Sequence, residues 1–171
     1  MDLVIHKALV EEAYEFAVCH TNCWRDAYKG IMPDAYLDNM LNTLDEKAEK
    51  FKQWISDTSG SEVCGVTLDG KMIGKLGFGE CRDEDKTNTG EIIAIYLLKE
   101  YWDKGYGRQM MEYTMEKLKE MGFQEIVIWV LEENIRARLF YEKFGFAFDG
   151  AIKEINLGET LIEMRYSLVL S

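Results

Sequence analysis

Apolar and polar positions alternate with period two over residues 3–7. They shift to helical spacing over 10–28, where acidic residues crowd the first turn and suit the positive end of a helix dipole. Two further amphipathic stretches, 34–40 and 45–56, follow Pro33, the only proline, and predict short helices. Residues 61–68 and 71–80 read as strands around Asp69-Gly70. That dipeptide favours the primed turns that match strand twist, so a hairpin is expected. A polar loop, 82–88, leads into an apolar strand, 89–98. A helix over 106–121 closed by Gly122, a β-branched strand over 125–130 and a helix over 134–144 closed by Gly145 come next. Two last strands, 147–157 and 159–168, meet at Gly158-Glu159. This order predicts one α/β (α+β) domain over residues 1–171: a mixed, mostly antiparallel central sheet of about seven strands flanked by helices.

A chain of 171 residues with 47% apolar composition can bury a core without disulfides or a metal. Its formal net charge of −11 disfavours nucleic acid and anionic membranes as partners and favours neutral or cationic ones. The start lacks the pattern of a signal peptide, and no apolar run approaches the roughly 18 residues that span a bilayer, so a cytoplasmic location is expected. The four cysteines are scattered and do not suggest a disulfide framework. Cys19 and Cys23 flank His20 at helical spacing, but a tetrahedral site needs further convergent ligands, and no metal is expected.

The strand 89–98 passes through a short Lys/Asp/Gly turn straight into a helix. Gly105 and Gly107 are expected to let the backbone bend without a Cβ in the way, so that successive N–H groups meet one phosphate at the helix N-terminus. Lys99, Lys104 and Arg108 surround this turn, and Arg136, Arg138 and Lys143 lie beyond it. A nucleotide-kinase loop is excluded, because Arg108 and Gln109 stand where a lysine and a hydroxyl residue would be required. A dinucleotide fold fits poorly: Met110 replaces the third fingerprint glycine and four strands precede the motif. A cofactor with a diphosphate but no nicotinamide fits the same turn.

Two blocks make the pattern specific. Trp102-Asp-Lys-Gly105-Tyr-Gly107 between strand and helix, then Asn134-Ile-Arg-Ala-Arg-Leu-Phe-Tyr141-Glu-Lys-Phe-Gly-Phe146, resemble the GNAT superfamily of acetyl-CoA-dependent N-acetyltransferases. The stretch from Trp24 through Pro33 to Leu37 is similar to a recurrent segment of its bacterial members. One departure is Trp102, where the family usually has Gln or Arg.

The resemblance implies acetyl-CoA as cosubstrate, its diphosphate held around Trp102, Asp103, Lys104, Gly105, Tyr106, Gly107 and Arg108. Its pantetheine arm is expected along Ile95, Tyr96 and Leu97, with the Leu97 N–H on the thioester carbonyl. Asn134 and Lys143 complete the cofactor contacts, although Asn134 alone reads as a helix N-cap. Tyr141 is expected to protonate or hydrogen-bond the departing sulfur, although a tyrosine within Leu-Phe-Tyr is ordinarily core. Glu91 is expected to take the amine proton, with Glu80 as a weaker substitute; otherwise Glu91 is a solvated strand-end charge. Trp24 and Tyr28 are expected to contact the acceptor, with Tyr36 and Asn156 nearby. The acceptor class implied is the primary amine of a small molecule, for example a polyamine or aminoglycoside, or of a peptide. Homodimers through the terminal strands are frequent in such folds. The rival is a non-catalytic CoA-binding sensor or interaction module, which would bind CoA without turnover.

Overall fold

A computed structural model of the chain describes residues 2–57 and 59–171. In chain order the elements are β1 (Leu3–Lys7), α1 (Ala13–Ala27, entered through a 3-10 turn), α2 (Asp34–Asn39), α3 (Leu44–Ser56), β2 (Ser61–Leu68), β3 (Lys71–Glu80) and β4 (Thr89–Leu97). There follow α4 (Tyr106–Glu120), β5 (Glu125–Leu131), α5 (Ile135–Glu142), β6 (Ala147–Asn156) and β7 (Thr160–Val169). The seven strands form one sheet in the order β1-β2-β3-β4-β5-β7-β6, antiparallel throughout except for β4 and β5. The expected hairpin joins β2 and β3, with Asp69 and Gly70 both at positive φ as a primed turn requires.

Each face of the sheet carries its own helices. Phe16 and Cys23 of α1 pack with Phe51 of α3 over Met72 on one face. On the other, Met110 and Leu118 of α4 join Tyr141 of α5 over Phe78, Ile92 and Ile126. A third cluster, including Tyr28, Leu37, Leu131 and Leu161, ties the α1–α2 region to the far strands. Among the described residues no helix is long and apolar enough to cross a membrane.

The parallel pairing of β4 with β5 is short, running only from Thr89↔Glu125 to Glu91↔Val127. A β-bulge explains the break. Opposite β3, Ala94 faces Gly77 but Ile92 faces Phe78, which leaves Ile93 as an extra residue. Ile92 and Ile95, three apart, therefore both pack toward α4, an odd spacing that a regular strand cannot give. Beyond the bulge β4 leans on β3 while β5 follows β7, and a seam opens between them. The loop before β4 is held by Arg165 of β7, which donates to Asp83 (3.1 Å), Asp85 (2.8 Å) and Asp149 (2.7 Å).

Lys75 of β3 is only 2% exposed and lies between the sheet and α3, with Nζ 4.4 Å from the Phe51 ring centroid and 5.4 Å from that of Tyr96. Desolvation pushes its pKa down to about 7; the Cys23 and Cys19 thiols oppose the shift and Lys47 adds to it. Between that value and the ordinary lysine range near 10.5, the unfolded chain binds a proton that the folded chain does not, so stability rises with pH. Urea denaturation from pH 7 to 10 should show the wild type gaining on Lys75→Met by up to about 1.4 kcal/mol per pH unit. Parallel stability curves would refute this assignment.

Candidate active site

After β4 a 3-10 turn (Lys99–Tyr101) is followed by Asp103 at φ 60° and Gly105 at φ 86°, which swing the chain into α4. Gly105 is the N-cap of α4; no side chain caps the helix and its first turn holds no acidic residue. The first bond into the helix runs from Gln109 N to Gly105 O at 3.2 Å. The N–H groups of Tyr106, Gly107 and Arg108 thus have no helical partner and form an anion seat. Only one of the two glycines is needed for the bend. Gly107 lies inside α4, and a Cβ there would make ordinary contact with the Phe140 ring at 3.5 Å. The expectation that both glycines bend the chain is corrected to Gly105 alone.

The open edge of β4 can be read from its hydrogen bonds. Leu98 N donates to Ile73 O on the β3 side, so the main-chain groups of Leu97, one residue earlier, point into the seam. There the Leu97 carbonyl accepts the Trp102 indole N–H at 2.8 Å. Ile95 faces the seam in the same way. Tyr96 does not: its main chain faces β3 opposite Lys75, and its ring packs on the α1 face. The expected run of three pairing residues reduces to Ile95 and Leu97.

Trp102 also carries the Arg136 guanidinium 4.2 Å above its ring, and Arg136 donates to Asp103 at 3.1 Å. A guanidinium from α5, itself paired with Asp103, thus stands beside position 102, where the sequence shows no Gln or Arg donor. Asp103, Arg108, Asn134 and Lys143 line the cleft with these groups. Asn134 caps α5, its Oδ1 accepting from Ala137 N at 3.2 Å. The side chains of Lys104 and Tyr106 turn away and rest against the Tyr101 ring.

The seam opens into a cleft of about 930 Å³ that passes from the α4–α5 face to the α1 face, with Phe140 and Tyr141 on one wall and Tyr28 and Ile31 on another. Tyr141 is buried, and burial raises its pKa well above the ordinary phenol value. Tyr28 and Tyr96 bond each other through their hydroxyls at 3.0 Å, and burial pushes Tyr96 up to about 12. Trp24 lies behind Tyr28, edge-on at 4.9 Å, and its buried indole N–H has no hydrogen-bond partner among the described residues. Tyr36 belongs to the same cluster, outside the cleft lining, and Asn156 is exposed at the end of β6. Glu80 lines a separate pocket of about 300 Å³.

Glu91 departs most from expectation. It sits in the last pair of the β4–β5 ladder, 2% exposed, and its carboxylate accepts Arg82 Nη2 at 2.6 Å, Arg82 Nε at 3.2 Å and Arg82 N at 3.2 Å. A carboxylate so committed, and absent from the cleft wall, is a counter-ion for the loop rather than a free base. Trp129 and Arg136 line the cleft; the sequence marked Arg136 only among the cations beyond the turn, and Trp129 not at all. Only the alternation of β5, which sets Trp129 apart from the core-facing Ile128 and Val130, hinted at the first.

The sequence profile of the acetyltransferase (GNAT) family matches residues 23–146. The chain belongs to that family and is an acyl-CoA-dependent N-acetyltransferase. An uncharacterised N-acetyltransferase of Bacillus subtilis (strain 168), YuaI, is 30% identical over 165 residues, 91% of this chain and 92% of that protein. The spermidine N(1)-acetyltransferase of Thermoplasma acidophilum is 21% identical over 97% of this chain and 99% of its own length. A probable spermine N(1)-acetyltransferase of Bacillus subtilis subsp. natto is 27% identical over 52% of this chain and 60% of its own length. Among solved structures, the PaiA N-acetyltransferase of Thermoplasma acidophilum in complex with coenzyme A matches with TM-score 0.78 at 21% identity, covering 99% of this chain and 100% of that one.

The pairing of Glu91 sets a clear expectation. On the best acceptor amine, Glu91→Gln should change kcat by less than about 10-fold, against the roughly 10²–10⁴-fold loss that removal of a general base brings. A loss in that larger range would restore Glu91 as the base.

Proposed function

We propose that the protein transfers acetyl from acetyl-CoA directly to the primary amine of a cationic small molecule, with polyamines first among the candidates and peptide amines as the wider class. The observation that carries this is the seam between β4 and β5, which joins the anion seat of α4 to a tyrosine-walled chamber against α1. The donor group fits: uncapped N–H groups at α4 suit a diphosphate, and the free edge of β4 suits an extended arm carrying amides. When bound, acetyl-CoA supplies an activated acyl carbonyl and a thiolate leaving group.

Each wall residue then has one task. The α4 N–H groups, with Arg108 and Arg136, hold the phosphates. Ile95 and Leu97 extend the sheet to the pantetheine amides, and the Leu97 N–H is offered to the acyl carbonyl. Asn134 and Lys143 border the arm. The Tyr141 hydroxyl, kept protonated by burial, donates a hydrogen bond to the departing sulfur; a phenol near 10 is a weaker acid than a thiol near 8.5, so it steadies the thiolate, which takes its proton from the nitrogen of the entering neutral amine as the amide forms. Tyr28 bounds the acceptor, with Trp24 fixing its ring from behind.

A cationic acceptor is favoured by Asp26 and Glu133, both exposed on the cleft wall, and by the net charge of −11. The relatives named for spermidine and spermine agree with that choice. A homodimer belongs to the same proposal: β6 is an edge strand with Phe148 and Ile152 exposed, and size in solution tests it.

The deciding assay is free-thiol release from acetyl-CoA with spermidine, an aminoglycoside and a peptide amine, run with wild type and Tyr141→Phe. The variant should lose about 10²-fold or more in kcat with little change in the KM for acetyl-CoA. Because its folded pKa is raised, Tyr141 keeps its proton across pH 7 to 10 and should cause no fall in rate there. Equal rates for the two proteins would remove Tyr141 from the chemistry.

A further inference from the structure

On the α1 face of the sheet, Trp129 borders the cleft. In β5 it alternates with Ile128 and Val130, which face α4, and so shares its side with Leu131, a neighbour of Tyr28. The adjoining strands bring a cation and a carboxylate to the same side, since Glu163 of β7 lies opposite Leu131 and Lys153 of β6 lies opposite Glu163. Lys153 Nζ stands 4.0 Å from the Trp129 ring centroid and 3.5 Å from Glu163 Oε2. The carboxylate is mostly covered, with 17% of its side chain exposed, whereas the lysine is 45% exposed.

An aromatic face beside a shielded carboxylate is the chemistry that recognises an ammonium ion. Here the ammonium comes from the chain itself, on the flexible stem of an edge-strand residue. Arg165 also approaches Trp129, at 5.6 Å, but is fixed by Asp83, Asp85 and Asp149; Lys153 alone of the two is free to leave. Glu163 also belongs electrically to the acceptor chamber, because its charge helps to raise the pKa of both Tyr28 and Tyr96.

We infer that Trp129 and Glu163 form a subsite for the second ammonium of a diamine acceptor, and that Lys153 is its resident competitor, displaced when such an acceptor binds. This rests on the amine-acetyltransferase proposal above. An amine with a single charge gains nothing at Trp129 and leaves Lys153 in place. A diamine places one nitrogen in the chamber and the other on the indole, so the subsite selects for a second charge at a set distance from the reacting one.

The test compares 1,4-diaminobutane with n-butylamine, by calorimetry on the CoA-loaded protein and by KM in the thiol-release assay. Lys153→Met keeps the aliphatic stem and vacates the subsite; it should raise the preference for the diamine over the monoamine by ~2- to 10-fold. Adding Glu163→Gln to Lys153→Met should abolish that gain. A preference unchanged in Lys153→Met, equal shifts for both amines, or no heat with either amine in any variant overturns the subsite. Binding of the diamine with the expected preference but without acetylation would leave the subsite standing and remove the proposed activity.

Discussion

Backbone amides must find partners, and in this protein that requirement is left open along one line, the edge of β4 beyond Glu91. An unpaired strand edge is ordinarily a hazard, inviting another chain to add to the sheet. Here it is enclosed by helices on both faces, and one of its carbonyls, that of Leu97, is already closed by the Trp102 indole. What stays exposed is a short row of donors and acceptors at the depth where an extended molecule with its own amides can complete the ladder. The bulge at Ile93 creates that row by turning β4 out of register with β5 while keeping it bonded to β3.

The same bulge divides labour between the faces of the sheet. By changing the alternation it directs Ile95 toward α4 and Tyr96 toward α1. The α4 side of the cleft is therefore apolar wall and backbone, while the α1 side receives a phenol that bonds Tyr28 and so ties β4 to α1. Tyr141 enters from α5 on the α4 side of the sheet and reaches the cleft where it meets Tyr96 and Tyr28. Had β4 kept a strict period of two, the direction of Tyr96 would have been reversed and the chamber would have lost one wall.

Most of the fold was legible because its elements are locally specified: Asp69-Gly70 demands its turn, Gly105 its left-handed backbone, and the amphipathic helices their faces. The anion seat was legible for the same reason. The failures lie where partners are distant in sequence. Glu91 reads as a catalytic carboxylate until Arg82, nine residues back across a loop, is seen to hold it. Trp102 reads as the loss of a phosphate ligand until Arg136, delivered by α5, is found on its ring. Gly107 reads as a bend because it sits beside one, and Tyr96 as a pairing residue because the bulge leaves no compositional trace.

Electrostatics connects these long-range contacts to the choice of substrate. On the acceptor side nearly every cation near the cleft is already matched: Arg165 by three aspartates, Lys86 by Glu125 and Asp149, Lys153 by Glu163, and Arg82 by Glu91. Lys75 has no carboxylate partner among the described residues, and desolvation brings its pKa down to about 7, well below the ordinary lysine value, so its charge is weakened. Asp26 and Glu133 on the rim are offset by none of these pairs. A positively charged acceptor therefore meets a wall whose fixed cations are screened and whose rim is negative, and the long-range field of the whole acidic chain draws it in the same direction. An acceptor bearing negative charge would meet the reverse, since Arg108, Arg136 and Lys143 lie on the far side of the seam, beside the uncapped N–H groups of α4.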